Sequence, residues 1–286
     1  MDYIQLKVFL TIEDLPNHLD YSSGIRGIWG RNLKKIFCLQ RNIECNECEF
    51  TNCNYLELFE KHTNVGTDYR PYIIYQEKNS KYIQINFTFF GEIIHQYENI
   101  ILPIIQLNDK DYFFKGQKKK IFIHHIKDSH NKLIYIDNEI QDNPRISSIL
   151  ISNNYEKDIL IKFESPLRMK YNSNLMRDFN KEAFVKNLYR RVSFMYKHYN
   201  NKQERLNDYN NNLLDFSYSA NLRWYEKHRN SLRQKQKMSI GGLIGDIIFK
   251  DISQELYQLL QIGEVIHIGK QSSFGNGKYK ILPINY

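Results

Sequence analysis

The sequence predicts an α+β protein in which one order of elements occurs twice. Three observations carry this: strand-like stretches recur in both halves, each half holds two stretches with helical apolar spacing, and a polar, turn-rich stretch divides the halves. Residues 2–12 (DYIQLKVFLTI) alternate apolar with polar, the pattern of a half-buried strand. The turn-rich LPNHLDYSSG follows, and IRGIWGRNLKKIF then spaces Ile25, Ile28, Trp29, Leu33 and Ile36 as one side of a basic helix. A cysteine-bearing segment interrupts at 38–53. Beyond it YLELFEKH predicts a short helix, and PYIIYQEK and KYIQINFTFFG predict two strands joined by a polar turn. Residues 91–107 predict a second helix that Pro103 would end or kink. KKKIFIHHI and KLIYID predict further strands, with His124 and His125 on opposite faces as structural residues.

Residues 138–154, with Pro144, mark a boundary that divides the chain into 1–145 and 146–286. In the second part 158–164 predict a strand, 180–199 a long basic amphipathic helix, and 208–236 a helical or irregular polar stretch. A hairpin is expected through MSIGGLIGDIIFKD, then a helix at ISQELYQLLQI and a glycine-punctuated loop into the last strand, KYKIL. The order β-α-β-β-α-β, read twice, is that of two tandem ferredoxin-like (RRM-like) domains, the first with a cysteine-bearing insertion. The repeat is one of order and not of residues.

With 286 residues, 42% hydrophobic and 14% aromatic, the chain can build two cores, each of about 100–150 residues. A net charge of +8 and a pI near 9.1 favour polyanionic partners, nucleic acid or an acidic membrane, without choosing between them. No run approaches the roughly 20 apolar residues of a membrane span, and the start does not read as a signal peptide. A cytoplasmic protein with no membrane partner is therefore expected.

The four cysteines, Cys38, Cys45, Cys48 and Cys53, all fall within one short segment, spaced C-x6-C-x2-C-x4-C. Thiolates so placed can wrap a structural zinc; another metal, an iron–sulfur cluster or free thiols are the alternatives. Two basic runs stand out, Lys115 with Lys118–Lys120, and Arg223, Lys227, Arg229, Arg233, Lys235 and Lys237. Each reads as a phosphate-contacting patch or as a solvated face. The segment GEVIHIGKQSSFGNGKYKI places Gly269, Gly275 and Gly277 where the chain must turn sharply, with Lys270 and Lys278 beside them.

That last segment resembles the glycine-rich loop near the C-terminus of the CRISPR repeat-processing endoribonucleases of the RAMP superfamily, with its G-x-x-x-H-x-G-K and F-G-x-G-x-Y pattern. Three more stretches resemble the same family: GIRGIWGRNLKKIFC with the cysteine cluster and YLELFE, ESPLRMK before the Arg190–Arg191 pair, and WYEKHRNSLRQKQKMSIGGLIGDI. The sequence departs in having IRG for LRG and in reducing the first domain's own glycine-rich loop to KGQKKK. The resemblance implies a protein that binds CRISPR repeat RNA and cuts the precursor transcript without metal, leaving a 2′,3′-cyclic phosphate and a 5′-hydroxyl. A non-catalytic RAMP subunit holding guide RNA in an effector complex is the alternative. It also implies no cofactor for catalysis and points to contacts from Arg26, Arg233, Lys235, Lys237, Gly269, Lys270, Gly275, Gly277 and Lys278. Histidine suits acid and base work near neutral pH. His267 matches the family's histidine, for catalysis, RNA contact or packing, and His18 lies with Tyr21 in the loop where many of these enzymes keep their general base.

Overall fold

The computed structural model describes the chain except for residues 46, 51–52, 61–69, 78–80, 115, 153, 201–207, 227, 232–235 and 285–286, with backbone alone for 229–231 and 236–238. The chain divides into two compact units, Met1–Ser148 and Ile149–Tyr286.

The first unit runs β1 (Asp2–Ile12), α1 (Ser22–Phe37), a short helix at Leu56–Glu60, β2 (Tyr72–Glu77), β3 (Ile83–Phe90), a helical turn at Glu92–His95 and α2 (Tyr97–Ile105). It continues with β4 (Lys110–Phe114), β5 (Gln117–Asp128), β6 (Leu133–Ile136) and the two-residue β7 (Glu139–Ile140) and β8 (Ser147–Ser148). The sheet order is β2-β3-β1-β5-β6-β7, with β1 antiparallel to both of its main neighbours. Alternation along β1 sets the two faces. Ile4, Leu6, Val8, Leu10 and Ile12 are at most 2% exposed, while Tyr3, Gln5, Lys7, Phe9 and Thr11 stay partly exposed. Ile25, Trp29 and Leu33 of α1 and Ile100, Ile101 and Ile104 of α2 join the inner set in one core. Trp29 is its hub, with ring centroids of Tyr72, Phe89, Phe87 and Phe59 between 4.9 and 6.0 Å away.

Three features of this unit depart from expectation. Strand β4 was not expected because KDYFF buries only Phe114 and so lacks an alternation signal. Pro103 lies inside α2 near its end rather than terminating it. His124 and His125 do not face opposite ways. The β1–β5 register passes from Phe9↔His125 to Leu10↔Ile123, so His124 is an extra residue in a bulge. His125 stacks on outward-facing Phe9 and His124 bonds outward-facing Thr11, which places both imidazoles on the outer face.

The second unit runs β9 (Ile159–Phe163), β10 (Lys170–Tyr171), β11 (Asn174–Leu175), α3 (Lys181–Tyr199), β12 (Ser217–Tyr225), β13 (His228–Ser231), β14 (Gln236–Ser239), β15 (Gly242–Lys250), α4 (Gln254–Ile266) and β16 (Tyr279–Pro283). Its sheet order is β12-β15-β9-β16. In both units the four strands of the β-α-β-β-α-β order therefore lie second, third, first, fourth across the sheet, the ferredoxin-like arrangement. Asn180 and Ser253 start α3 and α4 by accepting the N–H groups of Ala183 and Leu256. The expected helical or irregular stretch at 208–236 instead contains β12 and β13. The expected hairpin at 238–251 is mostly one strand, β15, whose partner is β12, with Tyr225 opposite Gly242. Strand β12 lies at the sheet edge with most residues exposed, so its sequence carries no apolar alternation.

Candidate nucleic-acid interface

The glycine-rich segment folds tightly onto the turn that follows β9. Lys270 N donates to Arg168 O at 2.7 Å, Gly277 N to Pro166 O at 3.0 Å and Ile268 N to Gly277 O at 3.1 Å. Gly269 and Gly277 have φ of +85° and +74°, and a Cβ there would stand 2.5 Å from Arg168 O and 1.7 Å from Ile268 O. Only glycine permits both the left-handed backbone and the close approach. Gly275 also has positive φ. These glycines serve the protein's own packing first. Of the two lysines, Lys270 is exposed, while the half-buried Lys278 donates through Nζ to Glu264 O at 2.8 Å.

His267 ends α4 at φ 55° and is 4% exposed, with Nδ1 3.3 Å from Asn276 O. Burial, aided by Lys278 and Arg191, holds its imidazole well below the usual histidine range. Arg191, 1% exposed, reaches the same helix end, donating to the carbonyls of Ile266 and His267. A cation at a helix C-terminus meets the negative end of the dipole, which accounts for a buried arginine here. The matched histidine thus lies in the interior, with its ring in the packing of the unit.

Side chains passed over in the sequence gather cationic charge beside this loop. Arg168, in the turn that carries the loop, donates from Nη1 to Gly241 O at 2.7 Å and feels Glu226 and Arg177. The Arg177 guanidinium lies 3.7 Å from the centroid of Trp224. Trp224 Nε1 and Ser239 Oγ donate to Glu226, and His228 Nε2 lies 3.5 Å from it. These contacts hold the Glu226 carboxyl below its usual value. ESPLRMK and WYE contain Arg168, Trp224 and Glu226, but Arg177 carried no signal and nothing in the spacing said that these residues meet. Arg168 is tied through its backbone to Lys270 and lies within electrostatic reach of Arg177, and exposed Arg177 and Lys270 are free to reach phosphate oxygens. Arg233 and Lys235 lie outside the described residues, as do Lys115 and Lys227. Lys237 is placed by backbone only, opposite Asn230.

In the first unit, His18 is exposed in the turn between β1 and α1. Tyr21 is 7% exposed, donates its hydroxyl to Pro16 O at 2.9 Å and has its pKa raised by burial. Arg26 is 7% exposed, with its guanidinium 4.4 Å from the Phe59 ring centroid. Arg26 therefore braces α1 against the Leu56–Glu60 helix rather than facing solvent. Cys48 Sγ contacts Gln40 Oε1 and Cys53 Sγ contacts Phe37 O. Burial, then Glu60, pushes the Cys45 thiol up. Among the described residues no group of three or more His, Cys, Asp or Glu side chains is arranged to hold a metal ion. The structural zinc that the cysteine spacing suggested gains no support from this arrangement.

Two ferredoxin-like units in tandem, the second closing with a glycine-rich loop before its last strand, define the RAMP class of fold. Comparison with known proteins narrows this. A family model for an N-terminal domain, AF_1859_N, matches residues 3–146, and that of the CRISPR-associated endoribonuclease Cas6 matches 161–279. The chain belongs to the Cas6 family of CRISPR repeat-processing RAMP proteins. Among solved structures, a Cas6 product complex aligns over 99% of this chain and 100% of its own, with TM-score 0.59 and 13% identity. Thermus thermophilus Cas6 aligns over 99% of each chain, with TM-score 0.56 and 12% identity. A partial Cas6-RT-Cas1–Cas2 complex aligns over 98% of this chain and 46% of the other, with TM-score 0.55 and 13% identity. No curated protein matches the sequence. No helix among the described residues is long and apolar enough to cross a membrane.

Proposed function

We propose that this chain binds the repeat RNA of a CRISPR transcript and cuts it into guide RNAs without metal, leaving a 2′,3′-cyclic phosphate and a 5′-hydroxyl. The carrying observation is the Cas6 match, which spans the second unit from β9 to the glycine-rich loop, where Arg168, Arg177 and Lys270 gather. Such cleavage needs a base for the 2′-hydroxyl, an acid for the leaving 5′-oxygen and cations or N–H groups facing the phosphorane. His18, exposed beside α1, is the proposed base; Tyr21 and Arg26 position the α1 end rather than touch RNA. Lys270, Arg168 and Arg177 hold phosphates, with Arg233, Lys235 and Lys237 further along the chain, and the glycines shape the loop. The Cas6-RT-Cas1–Cas2 complex supports a place for this chain in a larger CRISPR assembly.

Incubation with the host's repeat RNA in excess EDTA tests the reading. The initial rate is expected to be unchanged and the 5′ fragment to end in a cyclic phosphate. A rate that vanishes with EDTA and returns with magnesium removes the mechanism. The interior position of His267 and Tyr21 favours a second reading, an RNA-holding RAMP subunit that does not cut. Tight binding of intact repeat RNA with no product would establish it.

A further inference from the structure

The outer face of the first unit's sheet has one corner where rings and cations meet. Phe9 and His125 stack with centroids 4.4 Å apart at 21°. The Tyr82 ring lies 4.7 Å from His124 and stands edge-on to His125 at 6.0 Å and to Phe9 at 6.3 Å. Phe122, opposite outward-facing Thr11, is 40% exposed, and His124 is exposed with its Nε2 3.1 Å from Thr11 Oγ1. The bulge is what adds the second imidazole, since an unbroken strand would have turned one of the pair into the core.

Cations rim the rings. Lys81 Nζ lies 5.1 Å from the Tyr82 centroid and Lys120 Nζ 6.0 Å from that of Phe122, while Lys7 and Lys127 face each other one step along the strands. Lys7 Nζ donates to two neutral acceptors, Ser129 O and Asn131 Oδ1, and the carboxylates that act on it are engaged elsewhere: Asp128, fully buried, accepts backbone N–H groups of His130, Lys132 and Arg145, and Glu77 accepts from Asn86. Lys120 pairs with Asp109 at 3.2 Å. Rings parted by polar groups and edged by lysines suit a base and its phosphate better than the continuous apolar patch of a protein partner.

We propose that this corner, formed by Phe9, Tyr82, Phe122, His124 and His125, is a stacking site for unpaired nucleotides of single-stranded RNA, separate from the glycine-rich loop. The proposal rests on RNA being the ligand of this chain. Burial, with Lys127, His124 and Lys81, keeps His125 below the usual histidine range, so it offers a neutral π-face.

The test uses the whole protein, a roughly 12-nucleotide oligouridylate and the host's repeat RNA. Wild-type protein is cross-linked to the oligouridylate carrying 5-iodouridine, and the adducts are mapped by mass spectrometry. They should fall on Tyr82, Phe122 or His124. The double variant Phe122→Ala, His124→Ala, whose replaced side chains are exposed, should keep its circular dichroism and bind oligouridylate about fivefold to a hundredfold more weakly, the alanine cost of a stacked base. Adducts confined to 149–286, or a folded double variant that binds as wild type, overturn the proposal and make this face a surface for another partner. If the repeat RNA binds while oligouridylate does not, this site alone is lost. If neither RNA binds wild-type protein, the RNA reading of the chain falls with it.

Discussion

His267 shows what burial does to a residue that matches a catalytic pattern. Its imidazole is neutral in the folded chain and titrates near its ordinary value of 6.5 when unfolded. Above that pH the two states bind the same number of protons at this site and it adds no pH dependence. As pH falls through the unfolded value, the unfolded chain takes up a proton that the folded chain refuses, so stability drops by up to about 1.4 kcal/mol per pH unit until the folded pKa is reached. Urea denaturation between about pH 7.5 and pH 5.5 should show this slope in wild type and a flatter one in His267→Gln. A slope unchanged by the substitution would place the ring in water. The base proposed here is His18: His18→Ala should lower the single-turnover cleavage rate about 10²–10⁴-fold with little change in repeat binding. The cysteines are a further residue-scale test. Protein purified under reducing, chelator-free conditions should carry metal below one per chain and titrate four free thiols once unfolded, whereas stoichiometric zinc would show that the segment closes around an ion.

At the scale of elements, strands with one face buried were legible and edge strands were not. The apolar alternation of β1 follows from a core on one side only, whereas β4 and β12 bury little and leave no such trace. The glycine-rich loop was legible as a turn, but its partner was not, because Pro166–Arg168 lies about a hundred residues earlier in sequence. Gly277→Ala should cost about 1–3 kcal/mol from left-handed strain alone, and more from the contact with Ile268 O. Thermal melts read the loss. The α4 end gives a second case. Arg191→Met keeps the volume but strips the donors from the Ile266 and His267 carbonyls, and should lose about 1–3 kcal/mol in the same melts.

For the whole molecule, a charge of +8 predicts RNA binding that weakens steeply with salt. Between about 50 and about 200 mM salt the log–log slope should be about −0.7 per phosphate contacted, and Lys270→Ala should flatten it by about that amount. A slope near zero would mean that phosphates are not held. The sequence by itself determined the α+β class, the repeated order of elements, the basic surface and the family, because periodicity, charge and local motifs are written in neighbouring residues. Only the tertiary structure decided which of those residues face solvent. It turned His267, Tyr21 and Arg26 inward, brought Arg168 and Arg177 beside the loop, and set both His124 and His125 on one face. Burial and long-range pairing depend on where distant segments meet, and a strand register that slips by one residue changes the outcome without changing any local pattern.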